Sequence, residues 1–473
     1  MDTRSKDLYR DYEEKSKNLA DSFNPAAAFM GQAGKTLENI GMLTCMPWAY
    51  YYLAHIYDAS STMLKRAVKE YQKPEFGLKE TIIGDKNVSV TEEVVADKAF
   101  GSLLHFRRDT DRNDPKVLIV APMSGHYASQ MTETVKSLLP NHDVYVVDWK
   151  NARDVPLSKG DFGFDDYVRY VRDFIRETGP ETHVFGVSQS TVPLLAVAAL
   201  EAAEESAFQP LSMTLISGPI DTHAGETAIT RFAESKPVKW FSENLISEVP
   251  EKYAGAKRLV YAGFLQLAGL MSLDMGKHVN MHRDLFNHLS HGNVKEAEKI
   301  EKIYDGKFAV SDSTEKFYID TIRKVFIEHD LVKGKMFVDG VKVDPSAIRK
   351  TFLLTVEGGK DDIVAPGQTS AAQGLCSGLD PRRKFHYLNK NADHYAIFSG
   401  DPWRKDVMPR VAALIRESAL SQGITYDPLT NQSIMPDHWI ANDGYTSKPA
   451  RASVAKKAVA SVIPSCVPVG CAA

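Results

Sequence analysis

The chain has 473 residues, of which 43% are hydrophobic and 25% charged, a composition typical of a folded globular protein. Its 57 basic and 61 acidic residues give a formal charge of −4, which disfavours a nucleic-acid partner because nucleic-acid binders present a basic face. Four cysteines without a CxxC pair exclude a disulfide scaffold and disfavour a cysteine zinc site.

The first 79 residues are predicted to form a helical N-terminal extension. Residues 1–18 are polar and lack the apolar stretch of a secretory signal, so the cytoplasm is the expected compartment. Residues 40–57 carry no charge, but Pro47 interrupts them, so no transmembrane span is expected. The sequence favours a buried or lid-like aromatic helix here. The alternative is an interfacial segment, with Trp48–Tyr52, that docks on an apolar particle.

From Glu80 to Phe106 short β-branched runs predict antiparallel edge strands. Six uninterrupted apolar runs follow, a pattern that indicates strands buried on both faces of a parallel sheet. Helical patterns separate several of these runs, and the alternation predicts a doubly wound, mostly parallel α/β sheet. The runs are Lys116–Ala121, Asp143–Trp149, His183–Val187, Met213–Ile216, Thr351–Val356 and Lys384–Leu388.

About 130 residues separate the fourth and fifth buried strands. They read as helical, Leu259–Leu273 being mostly apolar, so residues 222–350 are predicted to form a helical cap or lid over the carboxyl ends of the strands. The core then comprises residues 80–221 and 351–422. Residues 423–473 are predicted to be a partly mobile C-terminal tail, because ordered patterns fade there.

A candidate nucleophile follows the third buried strand. Gly186–Ser190 has the form Gly-x-Ser-x-Ser and lies between a strand and a helix, which is a variant of the nucleophile elbow of α/β-hydrolases. Small residues two positions before and after Ser188 avoid a clash in the strained turn, and the helix N-terminus favours an oxyanion. The motif therefore predicts an α/β-hydrolase fold with Ser188 as nucleophile.

A serine hydroxyl needs a base, and in this fold the order along the chain is Ser, acid, His. His394 follows the last strand, and Asp361 follows the preceding one in a glycine-rich turn. His394 is expected to take the Ser188 proton while Asp361 fixes its tautomer. Asp362, and Asp221 after the fourth strand, remain alternatives for the acid.

The oxyanion needs two backbone donors, predicted to be the N–H groups of Gln189 and Met123, with that of Ser124 the close alternative to Met123. Ser124, His126 and Trp149 are the predicted substrate contacts, although a structural role for His126 is equally open. No cofactor or metal is predicted. His278 and His282 are four residues apart on one face of a predicted helix, but no third ligand lies at a spacing typical of a metal-binding motif.

Five segments together resemble the intracellular poly(3-hydroxybutyrate) (PHB) depolymerases, over a region from about Pro47 to Glu417. They are Val117–Ser129, Val146–Arg153, Gly186–Ala196, Glu357–Thr369 and His394–Gly400. The resemblance implies cytoplasmic hydrolysis of stored polyester granules to 3-hydroxybutyrate. It also implies a Ser188–Asp361–His394 triad, in agreement with the positions reached from the strand order.

One departure from that family concerns the nucleophile. The family, like the related polyester synthases, commonly carries cysteine where this chain has Ser188. Serine is either the natural nucleophile, which favours ordinary esterase chemistry, or a replacement for cysteine.

Three other functions stay open at this point. They are a synthase-like acyltransferase using coenzyme A thioesters, a carboxylesterase for small esters, and a granule-binding protein with an inactive site. The expected partners are the granule surface and hydroxybutyrate oligomers. The sequence leaves open whether the chain forms a homodimer.

Overall fold

The computed structural model describes residues 7–42, 47–273 and 275–430. Two helices, α1 (Leu8–Gly41) and α2 (Pro47–Ala67), open the described part and pack against each other. Small residues permit this approach, since a Cβ on Gly34 would lie 2.6 Å from a carboxylate oxygen of Asp58. The hydroxyl of Ser61 donates to the Ala27 carbonyl across the pair at 2.8 Å.

A nine-stranded sheet forms the centre of the molecule. Its strands are β1 (Glu80–Ile83), β2 (Lys86–Asp97), β3 (Gly101–Arg108), β4 (Lys116–Val120), β5 (Asp143–Trp149), β6 (Thr182–Val187), β7 (Ser212–Ile216), β13 (Phe352–Gly358) and β14 (Lys384–Asn389). They lie in the order β1-β2-β3-β5-β4-β6-β7-β13-β14. The first three strands and the β3–β5 pair are antiparallel, and the rest of the sheet is parallel.

All six predicted core strands are present, shifted by no more than two residues at either end. The crossed order of β5 and β4, with the strands beyond them parallel, confirms the predicted α/β-hydrolase fold. The antiparallel edge strands predicted between Glu80 and Phe106 are present as β1, β2 and β3, and β2 continues through an irregularity between Val94 and Ala96.

Helices connect the strands and cover the sheet. The helix over Thr191–Ala203, α5, has almost every side chain buried, and its one buried acid, Glu201, is paired with Arg172 at 2.6 Å. The others are α3 (Thr132–Leu138), α4 (Phe164–Thr178), α12 (Ala371–Leu375), α13 (Gly400–Pro402) and α14 (Met408–Leu420). None of the described helices combines the length and hydropathy needed to cross a bilayer.

Residues 222–350, called the inserted segment below, contain helices, a small three-stranded sheet and a two-stranded sheet. The sequence predicts helix throughout Leu259–Leu273, but Leu259–Tyr261 is a strand. The strand pairs on both sides, and the helix begins only at Gly263, whose N–H donates to Asp312. The elements are α6 (Ala228–Glu234), α7 (Val238–Asn244), β8 (Ile246–Glu248), β9 (Leu259–Tyr261), α8 (Gly263–Leu273), α9 (Met275–Ser290), α10 (Val294–Phe308), β10 (Ser313–Thr314), α11 (Glu315–Thr321), β11 (Phe337–Val338) and β12 (Val341–Lys342). Strands β8, β9 and β10 form the three-stranded sheet, and β11 and β12 form the two-stranded sheet.

Two core histidines make stability depend on pH. Burial lowers the pKa of His142 to about 4 and that of His183 to about 3. Below about pH 6.5 the unfolded chain takes up protons that the folded chain does not, so the free energy of unfolding should fall toward pH 4, by up to about 1.4 kcal/mol per pH unit for each group. Urea unfolding at about pH 7.5 and about pH 5 measures this loss. Equal unfolding free energies at the two pH values would contradict it.

Candidate active site

Ser188 occupies a sharp turn between β6 and α5. Its φ is 54°, in the left-handed region that non-glycine residues seldom adopt, as expected of a nucleophile elbow. Close packing holds the turn, because a Cβ on Gly186 would lie 2.8 Å from Leu194, and one on Gly218 would lie 1.9 Å from the Thr191 hydroxyl. The side chain of Ser188 is half-buried, so it is accessible at the carboxyl edge of the sheet.

The second serine of the motif fixes the turn. The Ser190 hydroxyl accepts from the Val187 N–H at 2.9 Å and lies within 2.7–2.8 Å of the Val120 and Val187 carbonyls. Ser190 is fully buried. It therefore joins the end of β4 to the end of β6, the two strands that precede the predicted oxyanion donors.

The structure brings the predicted acid and base together. Nδ1 of His394 lies 2.8 Å from Oδ2 of Asp361, and both side chains are buried. The other oxygen of Asp361 accepts from the N–H groups of Ile363 and Val364, so the carboxylate is held in one orientation. With Nδ1 bound to the acid, Nε2 is the nitrogen left to receive a serine proton.

The two alternative acids lie elsewhere. Asp362 is exposed to solvent, and Asp221 accepts a hydrogen bond from the N–H of His223. Within the described residues the carboxylate that accepts a hydrogen bond from Nδ1 of His394 is that of Asp361, so Asp361 remains the predicted acid. The geometry of the Asp361–His394 pair is what favours it.

Glycines allow the loop after β13, which carries Asp361, to approach the loop after β14, which carries His394. A Cβ on Gly358 would lie 2.7 Å from the Ala392 carbonyl oxygen, and one on Gly359 would lie 2.7 Å from the backbone of Lys390. The backbones are also hydrogen-bonded, since the Lys360 N–H donates to the Ala392 carbonyl. The glycine-rich turn thus sets the separation between the acid and the base.

One positioning residue escapes prediction from sequence. Glu357 is buried at the end of β13 and accepts from the N–H groups of Gly367 and Ser370. These bonds close the loop that carries Asp361. The sequence does contain a signal for Glu357. It is a carboxylate at the end of an otherwise apolar strand, and a buried carboxylate needs hydrogen-bond donors from nearby segments.

The loop after β4 is placed to supply an oxyanion donor. Within the described residues no backbone hydrogen bond uses the N–H of Met123 or of Ser124, so both remain candidates beside the predicted Gln189. The loop is anchored at Ala121, whose carbonyl accepts from the Trp149 indole at 2.8 Å and the Tyr167 hydroxyl at 3.0 Å.

That anchor gives Trp149 a different role from the predicted one. The side chain is buried and packs between Phe162 and Tyr167, so it supports the loop and offers little surface to a substrate. A strand covered on both faces gives no sequence signal for which face a side chain takes. Ser124 is half-buried and stays a predicted substrate contact.

His126 joins the loop to the inserted segment. It pairs with Val310 in an isolated β-bridge. Burial lowers the pKa of His126 to about 4, although backbone hydrogen bonds with Lys307 and Ser124 act in the opposite direction. The Gly125 carbonyl accepts from the Ser311 N–H at 2.7 Å. Of the two interpretations of His126, this placement favours the structural one.

The aromatic segment in α2 is exposed. Trp48 is 70% exposed, Tyr51 54% and Tyr52 49%, whereas the sequence favours a buried or lid-like helix. The burial part of that prediction is wrong for these three side chains. The rings of Tyr51 and Tyr52 contact His55 and His291, and these contacts leave about half of each tyrosine exposed.

The histidine pair of α9 makes packing contacts within the inserted segment. Nδ1 of His282 faces the backbone carbonyl of His278 at 2.9 Å and also contacts the Tyr304 hydroxyl. These contacts are those of a histidine packed in a helix pair. A different cluster, described below, gathers ligand atoms from separate parts of the fold.

A family model described as the C-terminus of the PHB depolymerases matches residues 217–419. This match confirms the predicted resemblance for that part of the chain, which includes Asp361 and His394. No curated protein matches the chain. The chain therefore has an α/β-hydrolase fold, and residues 217–419 within it are similar to the C-terminal part of the PHB depolymerases.

Several solved structures are similar to the chain at low identity. A monoglyceride lipase of Saccharomyces cerevisiae is 11% identical, with a TM-score of 0.42, and the match covers 74% of this chain and 98% of the lipase. An α/β-hydrolase fold protein of Nakamurella multipartita is 14% identical, with a TM-score of 0.37, and coverage is 69% and 99%. A monoacylglycerol lipase of Paleococcus ferrophilus is 12% identical, with a TM-score of 0.37, and coverage is 64% and 96%. These TM-scores lie below 0.5, so the fold assignment rests on this chain's own strand order.

Proposed function

We propose that this PHB-depolymerase-like chain hydrolyses the ester bonds of stored poly(3-hydroxybutyrate) and of its oligomers, with Ser188, His394 and Asp361 as the catalytic triad. The observation that carries the proposal is the buried Asp361–His394 hydrogen bond, in a fold that also places Ser188 on a strained elbow at the same edge of the sheet. The family match over residues 217–419 supports the polyester substrate.

The reaction proceeds in two halves. Nε2 of His394 takes the Ser188 proton as Oγ attacks the ester carbonyl, and the imidazolium then protonates the departing alcohol, leaving a hydroxyacyl-serine. Water, deprotonated by His394, attacks that ester, and the imidazolium returns the proton to Oγ of Ser188 as the hydroxy acid leaves. The N–H groups of Gln189 and Met123 stabilise the oxyanion in each half, and Asp361 stabilises the imidazolium.

A hydrolase is favoured over a synthase-like acyltransferase by the serine. Acyl transfer from a coenzyme A thioester to a growing chain suits a thiolate nucleophile, whereas an acyl-serine is an ordinary ester that water cleaves. A small-ester carboxylesterase is the nearest enzyme alternative. The intact Asp361–His394 pair weighs against a granule-binding protein with an inactive site.

Chain-length preference separates these functions. The purified chain should cleave 3-hydroxybutyrate trimers with a higher kcat/KM than p-nitrophenyl acetate, and should transfer no acyl group from 3-hydroxybutyryl-coenzyme A. A preference for the acetate would favour the small-ester carboxylesterase. Polymer made from the thioester would favour the synthase.

Trp48, Tyr51 and Tyr52 form the proposed granule-docking surface. Apolar groups exposed together on a helix lose unfavourable contact with water when they lie on an apolar polymer.

The inserted segment is the proposed lid. Through Ser311 it contacts the loop after β4, which carries the predicted oxyanion donor Met123. We place the enzyme in the cytoplasm on PHB granules. The proposed domain divisions follow the boundaries given above, and most of the tail at 423–473 lies outside the described residues.

Removing the docking surface should separate granule hydrolysis from chemistry. The double variant Trp48→Ser/Tyr51→Ser is expected to lower hydrolysis of amorphous granules by at least about tenfold. Each aromatic side chain contributes on the order of 1.5–3 kcal/mol if fully buried on the polymer, and a loss of about 1.4 kcal/mol is already tenfold. Trimer hydrolysis should be unchanged. Val279→Ser, on the exposed surface of the inserted segment, is the control. Equal losses on granules and trimers would contradict the docking role.

A further inference from the structure

Three side chains outside the catalytic triad bring metal-ligand atoms together from two parts of the fold. Asp221 and His223 lie on the loop that follows β7, where the core passes into the inserted segment, and His329 lies about a hundred residues farther along that segment. One ligand atom of each lies within 4.8 Å of the others. A carboxylate and two imidazoles form a set that Zn²⁺ binds in proteins.

His223 stands between two carboxylates. Its Nδ1 is 3.8 Å from an oxygen of Asp221, its Nε2 is 3.8 Å from an oxygen of Glu234, and its ring stacks on that of His329 with centroids 3.5 Å apart. Ligand atoms of a tetrahedral zinc site lie about 3.3 Å apart. The side chain of His223 is 51% exposed, so it has room for the shift that coordination needs.

His329 is buried and held in a strained conformation. Its φ is 53°, a value that a non-glycine residue keeps only when its surroundings fix it. Its Nδ1 lies 3.0 Å from the Thr222 hydroxyl, which is also 3.4 Å from the Val325 carbonyl. When the hydroxyl donates to that carbonyl, its oxygen accepts from Nδ1–H and leaves Nε2 unprotonated, as in metal-bound histidines.

We propose that Asp221, His223 and His329 bind one divalent transition-metal cation, with zinc the best fit to the ligand set. Glu234 then accepts from the second nitrogen of His223, which is the outer-shell bond common around zinc. The cation would join the inserted segment to the core. It would lie beside the loop that carries Asp361, because the N–H of Asp221 donates to the carbonyl of Gln368 in that loop.

Zinc titration of the full chain tests the proposal without any substrate. After chelator treatment and its removal, calorimetry with zinc chloride should show about one cation per chain, and a melting temperature raised by at least about 2 °C. His223→Gln, at an exposed position that should not disturb folding, is expected to weaken this binding by at least about tenfold. His291→Gln, an exposed histidine elsewhere on the inserted segment, is the matched control and should bind as the parent does.

His329→Gln should also lose the site, and its circular dichroism spectrum shows whether it has folded. Zinc binding of unchanged affinity in His223→Gln and in folded His329→Gln would place the cation elsewhere and overturn the proposal. Absence of stoichiometric binding to the parent chain would overturn it as well. Because hydrolysis is not measured, failure here leaves the proposed ester chemistry unaffected.

Discussion

Replacing Ser188 by alanine is expected to lower kcat for trimer hydrolysis by about 10⁴-fold or more. The alanine has no oxygen to form the acyl-enzyme, and the residual rate then comes from binding and oxyanion stabilisation alone. Ester hydrolysis by the purified variant, followed under substrate saturation, measures the loss.

Folding should survive this change. The elbow is held by Ser190, Gly186 and Gly218, and none of these contacts uses the Ser188 hydroxyl. An unchanged melting temperature is therefore the control. A loss of activity below about tenfold in a folded variant would remove Ser188 from the nucleophile role.

Asp361→Asn and Asp362→Asn are expected to differ sharply although the two residues are neighbours. In the first variant the asparagine keeps the shape of the side chain but cannot stabilise the imidazolium of His394, and its amide favours the wrong tautomer, so kcat should fall by about 10⁴-fold. Asp362 is exposed and has no part in the hydrogen bond to His394, so its variant should stay within about twofold of the parent.

Trimer hydrolysis by both variants across neutral pH tests this difference, with Asp362→Asn as the matched control for charge. Similar losses in the two variants would show that Asp361 does not hold the acid role. Retained activity in Asp361→Asn together with a large loss in Asp221→Asn would move the role to the loop after β7.

The order of the candidate catalytic residues along the chain could be predicted because each of them follows a strand with a clear sequence pattern. Uninterrupted apolar runs mark strands buried on both faces, and the loops after them must meet at one edge of the sheet. Ser188 and Asp361 each follow such a strand. His394 follows β14, which is the half-buried edge strand and not the fully buried strand that its sequence predicts, but strand order still gives its approximate placement. The Asp361–His394 contact in the structure agrees with that reasoning.

The parts that sequence does not predict have physical reasons. Strands of two or three residues, such as β8 and β9, are too short to show a periodicity, so the pattern of the inserted segment predicts helix where the small sheet lies. The direction of the Trp149 side chain gives no signal for a similar reason, since both faces of β5 are buried. His223 and His329 are separated by more than a hundred residues, and only the tertiary fold brings them into contact.

The most direct test of the central claim is release of 3-hydroxybutyrate from amorphous PHB granules by the purified chain, beside its Ser188→Cys and Ser188→Ala variants. The account predicts that the serine form releases product and that the alanine form does not. Activity confined to the cysteine form would contradict serine chemistry and show that the natural site uses a thiol. No product from either the serine or the cysteine form, with the fold intact, would contradict the polyester function itself.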